Sequence, residues 1–585
     1  MKALSYLNKY FLKYKWHLIF GILFIVVNNY FKAYLPLFFK ETIAEYEVMD
    51  TAKTDVIGYT SLVFLKYMGI ALAAALFLFL TRQAIIMMSR RIEFDLKNEI
   101  YEQYQRLSYT FYRKNSTGDL LNRISEDVTK VRMYLGPGVM YTINLAILSF
   151  FVIWNMVSIN GYVTLLVLIP LPIMTAIIYL VASRINKASS IVQKEQSFMS
   201  TLVQETFSGI RVVKAYDRQD EVVERFDKSA DDYKKKNMKL VLINALFMPT
   251  IFILVGLSTV LCIYIGGQLV IDGGGGMDIG DIIAFIFYVN MLTWPFASVG
   301  WVISLIQRAA ASQERINEFL NEDPEIKNRS DKPLAFDYKI EFKNVSYTYP
   351  NSGIQAIKDV SFTLKKGETL GIIGRTGSGK STILQLITHQ IEPDSGVILI
   401  DDIPLNEVNL SALLDASGVV PQDVFLFSDT IRNNIAFGSR ADEVTEEELE
   451  AVTKASHVYH NIKDLKNGFD TLLGERGVNL SGGQKQRVSI SRALIRKPQL
   501  LILDDCLSAV DTETEETILR NLNDMNKVTT LIVSHRVSSI RNAQRILNLE
   551  DGAIAEEGTH DELIALNGMY KDLYEKQLLE EENQD

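Results

Sequence analysis

Long apolar runs dominate the first half of the chain, and short β-branched runs separated by helical patterns dominate the second. A helix needs about 20 apolar residues to cross a bilayer. About six stretches meet that measure, with cores over 16–39, 61–80, 139–159, 163–182, 243–271 and 279–306. The second is short and interrupted by Lys66. Between the second and third, and again between the fourth and fifth, lie segments of roughly 55–60 residues, rich in charge, whose apolar positions recur three and four apart. Disordered loops would be richer in Gly, Pro and Ser. These segments therefore read as membrane helices that continue far into the cytosol and turn back. The opening MKALSYLNKYFLKYKWHL is basic and aromatic, and the apolar run after it is long enough to span rather than be cleaved. No cleavable signal is evident, and the opening reads as an interfacial lead-in.

Charge sets the expected orientation. Lys2, Lys9, Lys13 and Lys15 precede the first span, Arg90, Arg91 and Lys97 follow the second, and Arg184 and Lys187 follow the fourth. The loop 41–50 is acidic, and the turns at 160–161 and 272–278 carry no Lys or Arg. Both termini are expected in the cytosol, with the chain multi-pass in the cytoplasmic (inner) membrane of the cell. Polar residues inside spans point to a substrate path: Asn28, Asn29, Lys32, Asn244, Asn290 and Trp294. The alternative is that Lys32 snorkels and the Asn side chains bond helix to helix. Tyr30, Tyr34, Phe247 and Tyr288 either line an apolar cavity or face lipid.

The 585 residues exceed what one core holds, and the hydrophobic fraction of 48% fits a membrane half joined to a soluble one. A net charge of -10 argues against nucleic acid as a partner. Cys262 and Cys506, the two cysteines, supply neither a disulfide framework nor a zinc set and read as packing residues. The expected organisation is a membrane domain over 1–320, a linker over 321–338, an α/β domain over 339–578 and an acidic tail over 579–585.

In the α/β half, the run TLGIIG ends at Gly374 and leads into Arg375, Thr376, Gly377, Ser378, Gly379, Lys380, Ser381 and Thr382. This is a phosphate-binding loop between a strand and a helix. Its glycines let successive N–H groups curl toward phosphate, and the helix N-terminus adds a favourable dipole. Lys380 is expected to reach the β/γ phosphates of ATP, and Ser381 to ligate Mg2+. The strand LLILDD ends in Asp504 and Asp505, at the strand edge where Mg2+ and an attacking water are handled. Asp504 reads as the magnesium-side residue and Asp505 as the one that positions water. LSGGQ, containing Ser481, Gly482, Gly483 and Gln484, is a Ser-capped helix start and a possible anion site.

Phosphate loop, Gln422 in VVPQDVF, LSGGQKQR, LLILDD, Asp511 in SAVD and His535 in VSHR follow one another in an order that resembles the ATP-binding-cassette (ABC) family. The resemblance covers nearly the whole chain. FYRKNSTGDLLNRISEDV and ETFSGIRVVKAY resemble the two intracellular loops of type IV exporters. The stretch from Gly280 to Leu320 is similar to bacterial multidrug-resistance-like half-transporters. The resemblance implies a P-loop nucleotide-binding domain behind an all-α polytopic membrane domain. It also implies a dimer that sandwiches two ATP molecules, the phosphate loop of each cassette facing the LSGGQ of the other. By matching motif, Tyr349 (with Tyr347 as rival) would stack on adenine, Gln422 would contact Mg2+ and the attacking water, and His535 would contact the γ-phosphate. GERG at 474–477 resembles the loop that touches the intracellular helices.

Asp505 stands where the family carries Glu. The shorter carboxylate implies slow turnover at this chain's own site, and it favours a heterodimer with a Glu-bearing second half-transporter over a homodimer. The implied function is ATP-driven export of small amphipathic, drug-like or lipid-like compounds from the cytosol or inner leaflet. The alternatives are an ATP-binding regulatory subunit with a slow site, and a lipid or peptide exporter of narrow specificity.

Overall fold

A computed structural model describes residues 2–48, 56–271, 277–328, 330, 339–350, 352–441, 443–474, 477–524 and 528–582. Most of the turn over 272–278, half of the linker over 321–338, the end of the tail over 583–585 and half of the GERG loop fall outside these residues.

By contact, the chain divides into two compact units. One is Met1–Arg106 with Asn115–Glu322, and the other is Leu107–Lys114 with Asp323–Asp585. The first unit is helical, and among the described residues six helical runs are long and apolar enough to cross a membrane. The first, second, fifth and sixth spans are Lys15–Val48, Val56–Arg106, Gln219–Ile271 and Ile279–Leu320. The third ends in Val139–Ile159. The fourth is Gly161–Leu168 followed by Pro170–Ser208, broken where Pro170 supplies no backbone N–H. Each expected apolar core lies inside its helix. The charged segments between them are helical as well: the second span runs on to Arg106, the fourth to Ser208, and the fifth starts at Gln219.

Two features hold this unit together. The lead-in packs on the second span's polar extension, where Lys9 reaches Glu99 at 2.6 Å and Lys13 reaches Asp95 at 2.6 Å. Tyr6 and Tyr10 also donate to Glu99. Deeper in, several polar side chains join helices to one another. Asn29 donates to Asn144 at 3.0 Å, while Asn155 (3.0 Å) and Tyr288 (2.9 Å) both donate to the Ala33 carbonyl. For Asn29 the helix-to-helix alternative is therefore the one realised, and Tyr288, fully buried, neither faces lipid nor lines the cavities described below.

The second unit is α/β. Strands β1 (Lys339–Thr348), β2 (Gln355–Lys365), β4 (Ser395–Ile400) and β5 (Ile403–Pro404) form an antiparallel sheet. The other sheet has the order β10-β9-β3-β8-β7-β6. Its strands are β3 (Thr369–Gly374), β6 (Ser417–Val420), β7 (Leu500–Asp504), β8 (Thr529–Val533), β9 (Arg545–Glu550) and β10 (Ala553–Gly558). The pairs β6–β7, β7–β8, β8–β3 and β3–β9 are parallel. Side chains alternate across a strand, so Leu500 and Ile502 enter one apolar core while Leu501 and Leu503 enter another. A parallel sheet buried on both faces reads as a continuous apolar run, which is why LLILDD carries no alternation. Because β3, β6, β7 and β8 point the same way, their C-terminal ends share one edge.

Candidate active site

That shared edge collects the chemistry. β3 runs into the phosphate loop, β7 ends at Asp504, β6 precedes Gln422 and β8 precedes His535. A cavity of about 350 Å3 opens there. Its lining includes Tyr349, Thr376, Gly377, Gly379, Lys380, Ser381, Thr382, Gln422, Asp504, Asp505 and His535.

The loop's shape depends on glycine. Gly374, Gly377 and Gly379 have φ of 153°, 87° and 99°, where a side chain is strained. A Cβ on Gly374 would sit 2.2 Å from the Leu549 carbonyl oxygen, and one on Gly379 would sit 2.3 Å from that of Ala356. At Gly377 the same Cβ meets nothing within 4 Å, so two glycines fit the loop to the protein and the third faces the open side. Helix Lys380–Ile387 starts there. Lys380 Nζ donates to the carbonyls of Gly374 at 2.7 Å and Arg375 at 2.9 Å, so its charge arches over the concavity. Ser378 packs beneath, 4% exposed, and its hydroxyl has no partner among the described residues.

Ser381 Oγ donates to Asp504 Oδ1 at 3.3 Å. A hydroxyl and a carboxylate brought together beside a phosphate loop suit a hard divalent cation that takes oxygen ligands and keeps several waters. Burial raises Asp504 from its ordinary value against the Ser381 hydrogen bond, and burial lowers Lys380 against the pull of Asp505 and Asp504. Both charges are thus costly in the protein alone, and a bound Mg2+ and phosphate would compensate them. Asp505 takes a left-handed backbone, φ 46°, which Asp tolerates better than most residues. Its two oxygens are used separately: His535 Nδ1 lies 2.7 Å from Oδ1, and Gln422 Nε2 donates to Oδ2 at 3.3 Å. Gln422 therefore reaches Asp505 rather than Asp504.

Of the two tyrosines, Tyr349 lines the cavity and hydrogen-bonds Thr382 at 3.0 Å, whereas Tyr347 is buried in the core. The Arg113 guanidinium lies 4.5 Å from the Tyr349 ring centroid. Sequence reasoning missed this contact, because some 230 residues of chain separate the partners and no local pattern links them.

Ser481, Gly482, Gly483 and Gln484 do not line this cavity. They open helix Gly482–Leu494 with a reciprocal cap, Ser481 Oγ accepting from the Gln484 N–H and Gln484 Oε1 from the Ser481 N–H. A Cβ on Gly483 would sit 2.8 Å from the Ala509 carbonyl oxygen. Asp511 also lies outside the cavity, and its carboxylate caps the next helix by accepting from the Thr514 N–H at 2.9 Å.

Residues 18–296 match the model of the ABC transporter transmembrane region, and residues 357–508 match the ABC transporter model. The multidrug resistance-like ATP-binding protein MdlA of Escherichia coli is 36% identical over 513 residues, covering 87% of this chain and 86% of that protein. The chain belongs to the ABC transporter family. The ATP-dependent lipid A-core flippase of Desulfotalea psychrophila is 35% identical to this ABC transporter, with 83% of this chain and 84% of the relative covered. A solved structure of a bacterial Atm1-family ABC exporter with ATP bound shares the fold. Its TM-score is 0.78 at 24% identity, with 96% of this chain and 99% of that one covered. One six-span membrane region and one cassette make this ABC transporter a half-transporter of the type IV exporter class. It is a multi-pass membrane protein that binds ATP and an ATPase coupled to transport. ABC exporters act as dimers.

Proposed function

We propose that this half-transporter exports amphipathic, drug-like or lipid-like compounds across the cytoplasmic membrane, with both termini in the cytosol. The observation that carries the nucleotide part is the gathering of Lys380, Ser381, Asp504, Asp505, Gln422 and His535 at one strand edge. The names of the multidrug-resistance-like and lipid-flippase relatives support the substrate range. In this reading the membrane domain covers 1–320 and the cassette 339–578.

Mg2+, held by Ser381 and Asp504 with Gln422 near it, would neutralise developing phosphate charge. The protein's own residues do the remaining work. The loop N–H groups and Lys380 grip the phosphates, Tyr349 offers a face to adenine, and Asp505 and Gln422 orient water at the γ-phosphate. His535 supplies a donor there. Ser481, Gly482, Gly483, Gln484 and Asp511 act on the nucleotide of the partner cassette. The exposed tip carrying Phe207, Val212 and Tyr216 suits docking on that partner.

Asp505 motivates a second reading, in which this chain is a slow-site regulatory subunit beside a Glu-bearing half-transporter. Misplacing a reacting group by about 1 Å can cost on the order of a hundredfold, and Asp505 is one methylene shorter than Glu. ATP-dependent accumulation of a fluorescent amphiphile in inside-out vesicles tests the export reading, with Lys380→Ala as control. Uptake lost in the variant supports it. Turnover without accumulation supports the regulatory subunit.

A further inference from the structure

The membrane unit holds a second cavity, of about 670 Å3, whose lining comes from the third, fourth, fifth and sixth spans. That volume lies in the range of small-molecule sites. Its body is aromatic and apolar, with Phe252, Trp294 and Trp301 among the lining side chains and Tyr141 edge-on to Trp301 at 5.4 Å. Of the residues that line it, Arg308 alone carries a formal charge, and no carboxylate is among them. Arg308 makes no ion pair among the described residues, and its one hydrogen bond there, from Nη1 to Ser304 Oγ at 2.5 Å, stays on its own helix.

The hydroxyls of Thr293 and Ser298 donate to the Val289 and Pro295 carbonyls of their own helix. The indole N–H groups of Trp294 and Trp301 have no acceptor among the described residues. The one formal charge of the lining is positive. An arginine fork beside apolar walls matches a carboxylate, sulfonate or phosphate two oxygens at a time. A cationic amphiphile would instead have to bring its charge against Arg308 with no carboxylate to offset it.

We propose that this cavity is the transport site for an anionic amphiphile, with its aromatic or acyl body against Phe252, Trp294 and Trp301 and its acidic head on Arg308. The proposal rests on the export reading and adds the charge of the substrate. Whether the anion belongs to a soluble compound or a lipid headgroup, the recognising chemistry is the same.

Quenching of tryptophan fluorescence by three aromatic probes tests it, using the full chain in nanodiscs of phosphatidylcholine: anilinonaphthalene sulfonate, its uncharged parent phenylnaphthylamine, and the cation tetraphenylphosphonium. The sulfonate is expected to bind about tenfold more tightly than its parent, the worth of one charge-assisted hydrogen-bonded contact. Arg308→Gln is expected to remove that preference while the parent still binds, and Arg308→Lys to retain part of it. Phosphatidylglycerol added to the nanodisc competes with the sulfonate if the natural anion is a lipid head, and leaves it unaffected if the anion is a soluble compound. Equal binding of all three probes by the unmodified chain overturns the proposal, which needs no variant to fold. So does an Arg308→Gln protein that weakens all three alike. ATP-driven uptake in inside-out vesicles is read separately. Its absence for every probe, with the sulfonate preference intact, overturns the export reading and leaves the charge selectivity of the cavity standing.

Discussion

The cassette cavity and the aromatic membrane cavity solve opposite problems. The cassette cavity surrounds a highly charged ligand with groups that are expensive to bury, and its backbone is so tight that Gly374 and Gly379 exclude a single extra carbon. The membrane cavity is nearly twice as large, about 670 Å3 against about 350 Å3, and holds one formal charge among aromatic walls. The first fixes its ligand through many short polar contacts at strand ends, where a small error is costly. The second offers shape, apolar area and one electrostatic preference, which admits a class of compounds rather than one. On the proposed reading, selectivity for ATP and tolerance toward cargo come from different densities of polar groups.

Lys380→Ala should break the cassette side outright. Steady-state ATP turnover in lipid falls by about a hundredfold or more, as for loss of a preorganised charge donor at a transferring group. Tryptophan quenching by an amphiphile should survive in that variant, and its loss would show that the two cavities are not independent. Asp505→Glu is the next largest effect. If carboxylate reach limits the site, turnover rises by up to about a hundredfold, whereas an unchanged rate means that Asp505 suffices and a self-sufficient homodimer is the better reading.

Acidification should separate the cavities more gently. Burial raises Asp504, so its ionised form is lost earlier than usual as pH falls. Affinity for Mg2+·ATP therefore declines through the range just above an ordinary aspartate, more steeply than in Asp504→Asn, which binds weakly and has no carboxylate to titrate there. Isothermal titration across pH measures this difference. The smallest effect is at Asn29→Leu, which removes a helix-to-helix hydrogen bond between residues that line neither cavity. It should cost about 0.6 kcal/mol in a membrane unfolding assay, and transport should continue.

Legibility followed the same divide. The phosphate loop is contiguous, so Gly374 to Thr382 announce their geometry in the sequence, as do the apolar spans, whose length is set by the bilayer. Strand order is not contiguous. That β8 lies beside β7, placing His535 on Asp505, is a property of the sheet, as is β6 on the other side of β7, which brings Gln422 to Asp505. In the membrane half, polarity alone pointed to Asn28, Asn29, Lys32, Asn244, Asn290 and Trp294. Of these, Trp294 lines the cavity, Asn29 bonds to Asn144, and Asn290 donates to the Ile286 carbonyl of its own helix. A span's sequence says which residues are polar, but helix rotation decides what they face. Arg308 was invisible for that reason: at the end of a span it reads as an ordinary flanking charge.

Residues 107–114 lie, in sequence, deep inside the membrane half, yet by contact they belong with the cassette, Arg113 resting on Tyr349 and Lys114 3.5 Å from Glu325. No single cut of the gene separates the two parts. A cassette expressed from residue 323 onward would carry its nucleotide motifs complete but leave one face of Tyr349 bare. Nucleotide affinity measured on such a fragment would describe a tyrosine in a setting that the whole chain never gives it.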